Sequence, residues 1–394
     1  MDRMAPPYDT VIVRYGEIAL KGPSVRRSFE ERLRGNISDC LNKDGIDHVV
    51  ESMRGRILVR TSRAGDACRS ISRVFGIVTV SPAISTSSCM EDIVESTLSL
   101  ARSVVTPGKS FAVSTNRGDK SFPITSQEVS SRVGETVRVE TGGRVDLGNP
   151  DVVLGVDVRE ETYIFRETLP GPGGLPLGTA GRVMSLFSGG IDSPVGAYLM
   201  MKRGCESHLL YMDNSPYADV ATTERAVGVA QILSRYSCGF EMKLFVAPYG
   251  HVLRSIIENC PRRLTCTLCK RMMTRIAGAV AGMEGCDAVM NGSSLAQVCS
   301  QTMPNLALTL SVGSVPVLMP LLGFDKDEII SIARRIGTYD SSSTRTEGCT
   351  AVPRHPKINP TPGEIEKAEL ELEMEKLIAE AIGGIQRISL SPEG

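Results

Sequence analysis

The sequence predicts an α/β protein, with a C-terminal domain built on a parallel sheet and two smaller α+β units before it. Three observations predict this. From Arg182 onward, short continuous apolar runs (VMSLFS, SHLLYMD, MKLFVAPY, DAVMNGS, PVLMP) alternate with helical stretches, the pattern of parallel strands covered on both faces. Before them the apolar rhythm repeatedly switches between strand and helix periods. Between the two regimes, residues 169–181 read LPGPGGLPLGTAG, a Pro/Gly-dense boundary. The expected domains are therefore 1–75, 76–170 and 171–394.

Residues 9–14, DTVIVR, read as a strand. Ser24–Leu41 follows with helical spacing of Val25, Phe29, Leu33, Ile37 and Leu41. HVVESMRGRILVRTS offers two strands turning at Arg54-Gly55, and Asp66–Phe75 a short helix. This β-α-β-β-α order suits a ferredoxin-like unit. The second unit has helices at Asp92–Val105 and Ser126–Glu140. Its strands are SFAVSTN and a pair in VVLGVDVREETYIFRE. In the last domain the expected helices are Pro194–Lys202, Thr222–Ser234, Val252–Glu258, Lys270–Gly282 and Asp327–Ile336. An acidic amphipathic helix is expected over Glu364–Ala381.

With 394 residues, 41% hydrophobic and 23% charged, the composition is that of a soluble globular chain. No apolar run reaches membrane-spanning length, and the first residues lack the layout of a secretory signal, so cytoplasm is the expected location. Eleven cysteines are too sparse for a disulfide scaffold. The net charge of −1 hides an asymmetry: from Thr361 onward there are eight Glu against three Lys/Arg, which leaves +4 on the rest. Pro261–Arg275 holds five Lys/Arg and no acid, a strip that can track phosphates or form a solvated helix face.

The stretch LFSGGIDSP, 186–194, joins a buried strand to a helix opening near Pro194. Paired glycines let backbone N–H groups converge, the Ser188 and Ser193 hydroxyls add donors, and the helix N-terminus adds positive potential. Such a turn at the carboxyl end of a parallel strand grips a pyrophosphate. Asp192 within an anion cradle calls for a cation, so Mg²⁺ bridging carboxylate and phosphates is expected. The stretch SGGIDS resembles the PP-loop of the ATP pyrophosphatases, which implies ATP cleaved between its α- and β-phosphates and AMP placed on a substrate oxygen.

Further stretches resemble the tRNA 4-thiouridine synthetase (tRNA sulfurtransferase, ThiI-type) family: VRYGEIALKGPSVRRSFEERLRGNI, SFAVSTNRGDKSFPITSQEV, GPGGLPLGT, SSLAQVCSQTMPNL and LLGFDKDEII. The resemblance implies a ferredoxin-like domain, a THUMP RNA-binding domain and a PP-loop catalytic domain. It implies ATP-dependent replacement of O4 of uridine 8 in tRNA by sulfur, and in some relatives sulfur supply for the thiamine thiazole. Carried over residue by residue, Leu186, Phe187, Ser188, Gly189, Gly190, Asp192 and Ser193 face nucleotide, phosphate and Mg²⁺. Tyr211 and Met212 match adenine-side positions. Lys270, Gly292 and Gln301 match ATP contacts, and Lys326 matches a lysine of the adenylation step.

Cys349, in TEGCTAVP, matches the family cysteine of sulfur handover. The chain ends about 45 residues later, too few for the rhodanese domain of many bacterial members, which implies the archaeal-like form. It also carries CTLC, Cys266 and Cys269, within the basic strip. Flanking Arg262, Arg263, Lys270 and Arg271 are expected to lower these thiol pKa values. Three readings stay open. Cys266, Cys269 and Cys349 can ligate a [4Fe–4S] cluster with one iron free, as in archaeal-type relatives. A C-x-x-C pair can pass sulfur as a persulfide or disulfide. A zinc site completed by His355, or inert helix cysteines, is the third. Cys260 lies close by, while Cys205, Cys238, Cys286 and Cys299 read as packing.

The resemblance makes Lys21, Arg117 and Lys120 candidates for RNA phosphate contacts, which position without specifying sequence. Few aromatics and no Trp argue for recognition of folded RNA shape. The expected partners are tRNA, a sulfur donor (sulfide or a cysteine desulfurase) and a second copy of the chain as homodimer, with no membrane. The alternatives are another adenylating, amidating-ligase-like class and a non-catalytic RNA-binding module.

Overall fold

A computed structural model describes residues 8–53, 55–344 and 348–390, so Arg54 of the first expected turn and Glu347 beside Cys349 lie outside the described residues. The chain forms two compact units, Met1–Pro176 and Leu177–Gly394.

In the first unit β1 (Thr10–Tyr15), α1 (Pro23–Lys43), β2 (Val49–Met53), β3 (Arg56–Arg60), α2 (Ala64–Ile71) and β4 (Ile77–Ser87) lead into α3 (Met90–Val104) and β5 (Ser110–Arg117). Then come α4 (Ser126–Thr141), β6 (Arg144–Val145), β7 (Val152–Val158), β8 (Glu161–Phe165) and β9 (Leu169–Pro170). The strands form one nine-stranded sheet ordered β2-β3-β1-β4-β8-β7-β5-β6, with β9 beside β4. Sequence reading leaves β4 unassigned, yet it pairs antiparallel with β1 on one side and β8 on the other. It thereby fuses the two expected α+β units into one sheet. Ile93, Leu100, Val129, Val133 and Val137 of α3 and α4 bury their apolar stripe on Phe111, Leu154, Val156 and Ile164.

The second unit runs β10 (Arg182–Phe187), α5 (Asp192–Lys202), β11 (Glu206–Asp213), α6 (Val220–Ser234), β12 (Lys243–Pro248), α7 (Gly250–Asn259), α8 (Thr265–Met283) and β13 (Ala288–Met290). It continues with α9 (Met303–Leu310), β14 (Val317–Leu318), α10 (Lys326–Ile336), α11 (Tyr339–Ser343), α12 (Pro362–Glu369), α13 (Met374–Gly383) and β15 (Gln386–Ser389). The sheet order is β14-β13-β10-β11-β12-β15. All neighbours pair parallel except β15, an antiparallel edge strand on β12. After β12 the chain crosses to the far side of β10, so the strand order reverses beside β10. In a doubly wound sheet that reversal opens a crevice at the carboxyl ends of the strands.

Two expectations change here. The single helix over Glu364–Ala381 is two, α12 and α13. Ile365, Ala368 and Leu372 share one helical face, but Leu377 lies five residues beyond Leu372 and would point away from the core in a continuous helix. The break lets Leu372, Leu377 and Ala381 all be buried. And α8 begins at Thr265 after a 3₁₀ turn at Arg262–Leu264, not at Lys270, so Cys266 and Cys269 sit in its first two turns.

The basic strip folds inward. Arg271 is buried and donates to both Glu369 carboxylate oxygens at 2.8 and 2.9 Å, to Ser311 Oγ at 3.0 Å and to the Leu308 carbonyl. Arg275 bonds the same carboxylate at 2.7 and 3.0 Å. Burial alone would raise the Glu369 pKa, but the two guanidinium partners outweigh it and hold it at about 2. Replacing Glu369 by Ala leaves a buried guanidinium without its counter-charge, and stability is expected to fall by about 3–5 kcal/mol in denaturant titrations. Since the folded pKa lies below the ordinary value of 4.5, the pair's contribution is complete above that pH and is lost as pH falls toward 2. The wild-type advantage over Glu369→Ala should shrink across that window.

Candidate active site at the carboxyl end of the parallel sheet

β10 ends at Phe187, and Ser188-Gly189-Gly190-Ile191 turns directly into α5, whose first residue is Asp192. The Ser188 N–H donates to Ser193 Oγ at 3.0 Å, the two hydroxyls lie 3.2 Å apart, and the Gly190 N–H donates to Ser188 Oγ at 3.3 Å. Gly189 has φ +68°, and a Cβ there would meet Ala226 Cα at 2.6 Å. At Gly292 a Cβ would stand 2.9 Å from Ser193 Cα. Both glycines let neighbouring backbone close on the turn.

Asp192 Oδ1 accepts from Lys326 Nζ at 2.6 Å. Lys326 is the first residue of α10, whose start is fixed by a capping box between Asp325 and Glu328. Gln297 completes the group once its carboxamide is assigned with oxygen toward the ammonium and nitrogen toward the carboxylate, the orientation its neighbours' chemistry favours: the nitrogen then donates to Asp192 Oδ2 at 3.2 Å and the oxygen accepts from Lys326 at 3.1 Å. Sequence reading missed Gln297, which sits in SSLAQVCSQT without a motif of its own.

The turn opens on a cavity of about 400 Å³. Of the residues expected at the site, Leu186, Phe187, Ser188, Asp192, Ser193, Tyr211, Met212, Lys270, Gly292, Gln301 and Cys349 line it. Gly189 and Gly190 lie in the turn itself. The cavity also draws in Asn214, Thr222, Arg225, Asn291 and Ser293. Asn291 and Ser293 were within reach of sequence reading, since NGSS follows β13 as SGG follows β10; Arg225 is a helical arginine with no local signature. Three lining atoms are buried without a hydrogen-bond partner: Asn214 Oδ1, Arg225 Nε and Gln301 Oε1.

The thiols are not activated by the basic flank. Burial, reinforced by Cys299 and Cys349, pushes Cys266 up to about 11. Burial pushes Cys269 up to about 12, with Cys349 and Cys266 adding to it. Loss of hydration outweighs the neighbouring cations. Burial also lowers Lys270, which feels Cys269, Cys266 and Cys299. Cys299, expected as packing, is half-exposed and within electrostatic reach of Cys266. Cys260 is buried, with its Sγ against the Ala368 carbonyl at 3.3 Å. Among the described residues no three His, Cys, Asp or Glu side chains converge as metal ligands, and His355 is exposed.

Lys21, Arg117 and Lys120 all belong to the first unit. Lys21 and Lys120 are exposed. Arg117 donates to the carbonyls of Phe122 at 3.0 Å and Ile124 at 3.1 Å, which ties down the loop before α4. No described helix is long and apolar enough to cross a membrane.

A reversed parallel sheet with a Gly/Ser turn opening its first helix onto a polar-edged cavity defines a nucleotide-binding α/β protein of the PP-loop kind. The family described as Thiamine biosynthesis protein (ThiI) matches residues 178–374, the ThiI ferredoxin-like domain 10–81 and the THUMP domain 88–166. The chain is 42% identical to the probable tRNA sulfurtransferase of Methanothermobacter thermautotrophicus, over 95% of this chain and 96% of that one. It is 39% identical to that of Moorella thermoacetica, over 98% and 99%. A solved 4-thiouridine synthetase–RNA complex with bound ATP shares the fold with a TM-score of 0.86 at 30% identity, covering 98% of this chain and all of that one. The chain belongs to the ThiI family of tRNA sulfurtransferases.

At pH 8, Cys266 and Cys269 should be alkylated at least about tenfold more slowly than an unstructured cysteine peptide, because so little thiolate is present. Mass spectrometry of labelled peptides reads this. Rates equal to the peptide's would show that the cations, not burial, control these thiols.

Proposed function

We propose that this chain is an ATP-dependent tRNA sulfurtransferase that adenylates O4 of uridine 8 and replaces it with sulfur to give 4-thiouridine. The carrying observation is the Asp192–Lys326 pair at the mouth of the Gly/Ser turn, in a chain of this family. Uridine O4 attacks the α-phosphorus of ATP and pyrophosphate leaves. Sulfide then attacks C4, the C4–O bond breaks, and AMP leaves with that oxygen. The protein's task is to hold the departing pyrophosphate and the charge that develops on it, and the donors of the turn and the Lys326 ammonium supply the potential.

The cavity suits a nucleotide. Its volume is that of a small-molecule site, and its two unpartnered acceptors and one unpartnered donor suit a polar ligand. Leu186, Phe187, Tyr211 and Met212 form the base side, with Lys270, Gly292 and Gln301 beside them. Asp192, a partly exposed carboxylate beside an anion turn, fits Mg²⁺, which would neutralise phosphate charge when bound. Cys266, Cys269 and Cys349 are the proposed ligands of a [4Fe–4S] cluster. Their support is chemical type and mutual electrostatic reach, not a preformed convergence: the three thiols are soft donors that feel one another across the start of α8 and the Cys349 loop. The cluster would supply an iron able to hold sulfide, delivered free or from a cysteine desulfurase. The first unit is the proposed tRNA-capturing part, through Lys21, Arg117 and Lys120. A second reading, sulfur transfer toward the thiamine thiazole, rests on the description of the matched family.

Nucleoside analysis of tRNA from a deletion strain tests the function. The wild-type gene should restore 4-thiouridine and Asp192→Ala should not. Normal 4-thiouridine with Asp192→Ala would overturn the reading, and thiamine auxotrophy alone would favour the second. Gly189→Ala forces a β-carbon into left-handed backbone at a strain of about 1–2 kcal/mol. ATP affinity should fall about tenfold or more in calorimetry. Iron and sulfide analysis after anaerobic purification tests the cluster: a colourless, iron-free protein active with sulfide would remove it.

A further inference from the structure

We propose that Gln297 is a positioning residue for nucleotide activation: it holds Lys326 and Asp192 as a preassembled pair, from which Lys326 passes to phosphate when the nucleotide enters. This rests on the ATP-dependent reading above. Asp192 and Lys326 are each the first residue of a helix, α5 and α10. A carboxylate there is favoured by the helix dipole, whereas an ammonium is disfavoured and needs a nearby anion. Asp192 is that anion in this structure, at 2.6 Å.

One carboxylate cannot serve Lys326 and a phosphate-bound cation equally well. When a triphosphate occupies the turn, its oxygens become the stronger anion for the ammonium, and Asp192 is freed, so that it would be able to hold Mg²⁺. The transfer needs Lys326 held at the right height while its partner changes. In the assigned orientation the Gln297 carboxamide can do this, because it presents an acceptor to Lys326 at 3.1 Å and a donor to Asp192 at 3.2 Å. An amide serves both partners with one side chain, its oxygen accepting and its nitrogen donating. The ammonium has three N–H donors. Asp192 and Gln297 take two, and the third is available to phosphate.

The loop is built to place this amide. Ala296, the residue before it, is the non-glycine residue with positive φ, +63°, among the described residues. A left-handed alanine is uncommon and persists only where surrounding structure imposes it. Its N–H donates to the Gln301 carbonyl at 2.9 Å, and the Gln301 N–H to the Val298 carbonyl at 2.8 Å. Ser294 Oγ donates to the Phe324 carbonyl at 2.9 Å and the Leu295 N–H to the Leu322 carbonyl at 3.3 Å. The loop is thus laced to the segment that ends at Lys326, so Gln297 and Lys326 are positioned by one scaffold.

The test uses the full chain with Gln297→Leu and Gln297→Glu. Three readouts are needed: ATP-dependent adenylation kinetics on tRNA, thermal melting, and mass-spectrometric labelling of Lys326 by an amine-reactive reagent without nucleotide. Gln297→Leu should melt within a few degrees of wild type and label Lys326 several-fold faster. It should lose about 100-fold in kcat with KM for ATP changed by less than about threefold. Gln297→Glu keeps the acceptor for Lys326 and should restore its protection. It should not restore kcat, because an oxygen now faces Asp192 Oδ2. Unchanged labelling and kcat in Gln297→Leu overturn the proposal, as does a loss of kcat that merely tracks a loss of melting temperature. Full kcat in Gln297→Glu removes the bridging role. If the wild-type chain shows no ATP turnover with tRNA, the function fails while the labelling arm still decides the pair.

Discussion

Two helices begin at the same place, and each begins with a charged residue of opposite sign. The ion pair between Asp192 and Lys326 neutralises both across 2.6 Å, and the rest of the second unit serves to make that meeting possible. The reversal of strand order beside β10 opens the crevice. Gly189 and Gly292 remove the Cβ atoms that would keep neighbouring backbone from closing on the turn. The capping box at Asp325 fixes the origin of α10 to one residue, and hence the position of its first side chain. A slip of α10 by one residue would rotate Lys326 by about 100° away from its partner.

The pieces legible in the sequence were those whose cause is local. The strand, the glycine pair and the helix start of LFSGGIDSP are encoded within nine residues, and Tyr211, Met212, Lys270, Gly292 and Gln301 lie on the cavity wall, while Lys326 meets Asp192 beside it. The pieces that were not legible depend on distant partners. Arg271 and Arg275 look like part of a phosphate-tracking strip until Glu369, almost a hundred residues on, claims both. The thiols of CTLC look activated by their neighbours in sequence, but the dielectric around a thiol is set by everything packed against it. For Cys269 burial wins. Gln297 had no signature because its placement comes from the backbone of Ala296 and from a loop laced to a segment some twenty-five residues away.

The same distinction holds in the first unit. The helices and the hairpin of β2 and β3 follow from apolar period and turn chemistry. That the sheet is one rather than two follows from β4, an eleven-residue strand whose pattern of burial changes along its length. Its first half answers to β1 and its second to β8, so neither strand period nor composition reads cleanly through it. Domain names taken from sequence divide this unit, while its hydrogen bonds do not.

Placement of the sulfur-bearing residues follows from the cavity wall. The loop carrying Cys349 is tied at Thr350 to the Tyr217 carbonyl by its N–H at 2.9 Å and its hydroxyl at 3.2 Å. Tyr217 lies in the segment between β11 and α6, which also provides Asn214 and Ala218 to the cavity. Lys270 lines the cavity from the other side and directly follows Cys269. A reaction in which sulfur displaces AMP from a base must bring nucleotide, base and sulfur within bonding distance in one enclosure that excludes water. Cys349 puts one thiol on the wall of the cavity that the Gly/Ser turn borders, and Lys270 puts there the residue next to Cys269. The burial that raises the Cys266 and Cys269 thiols is also the condition under which an incoming sulfur species would be shielded from solvent.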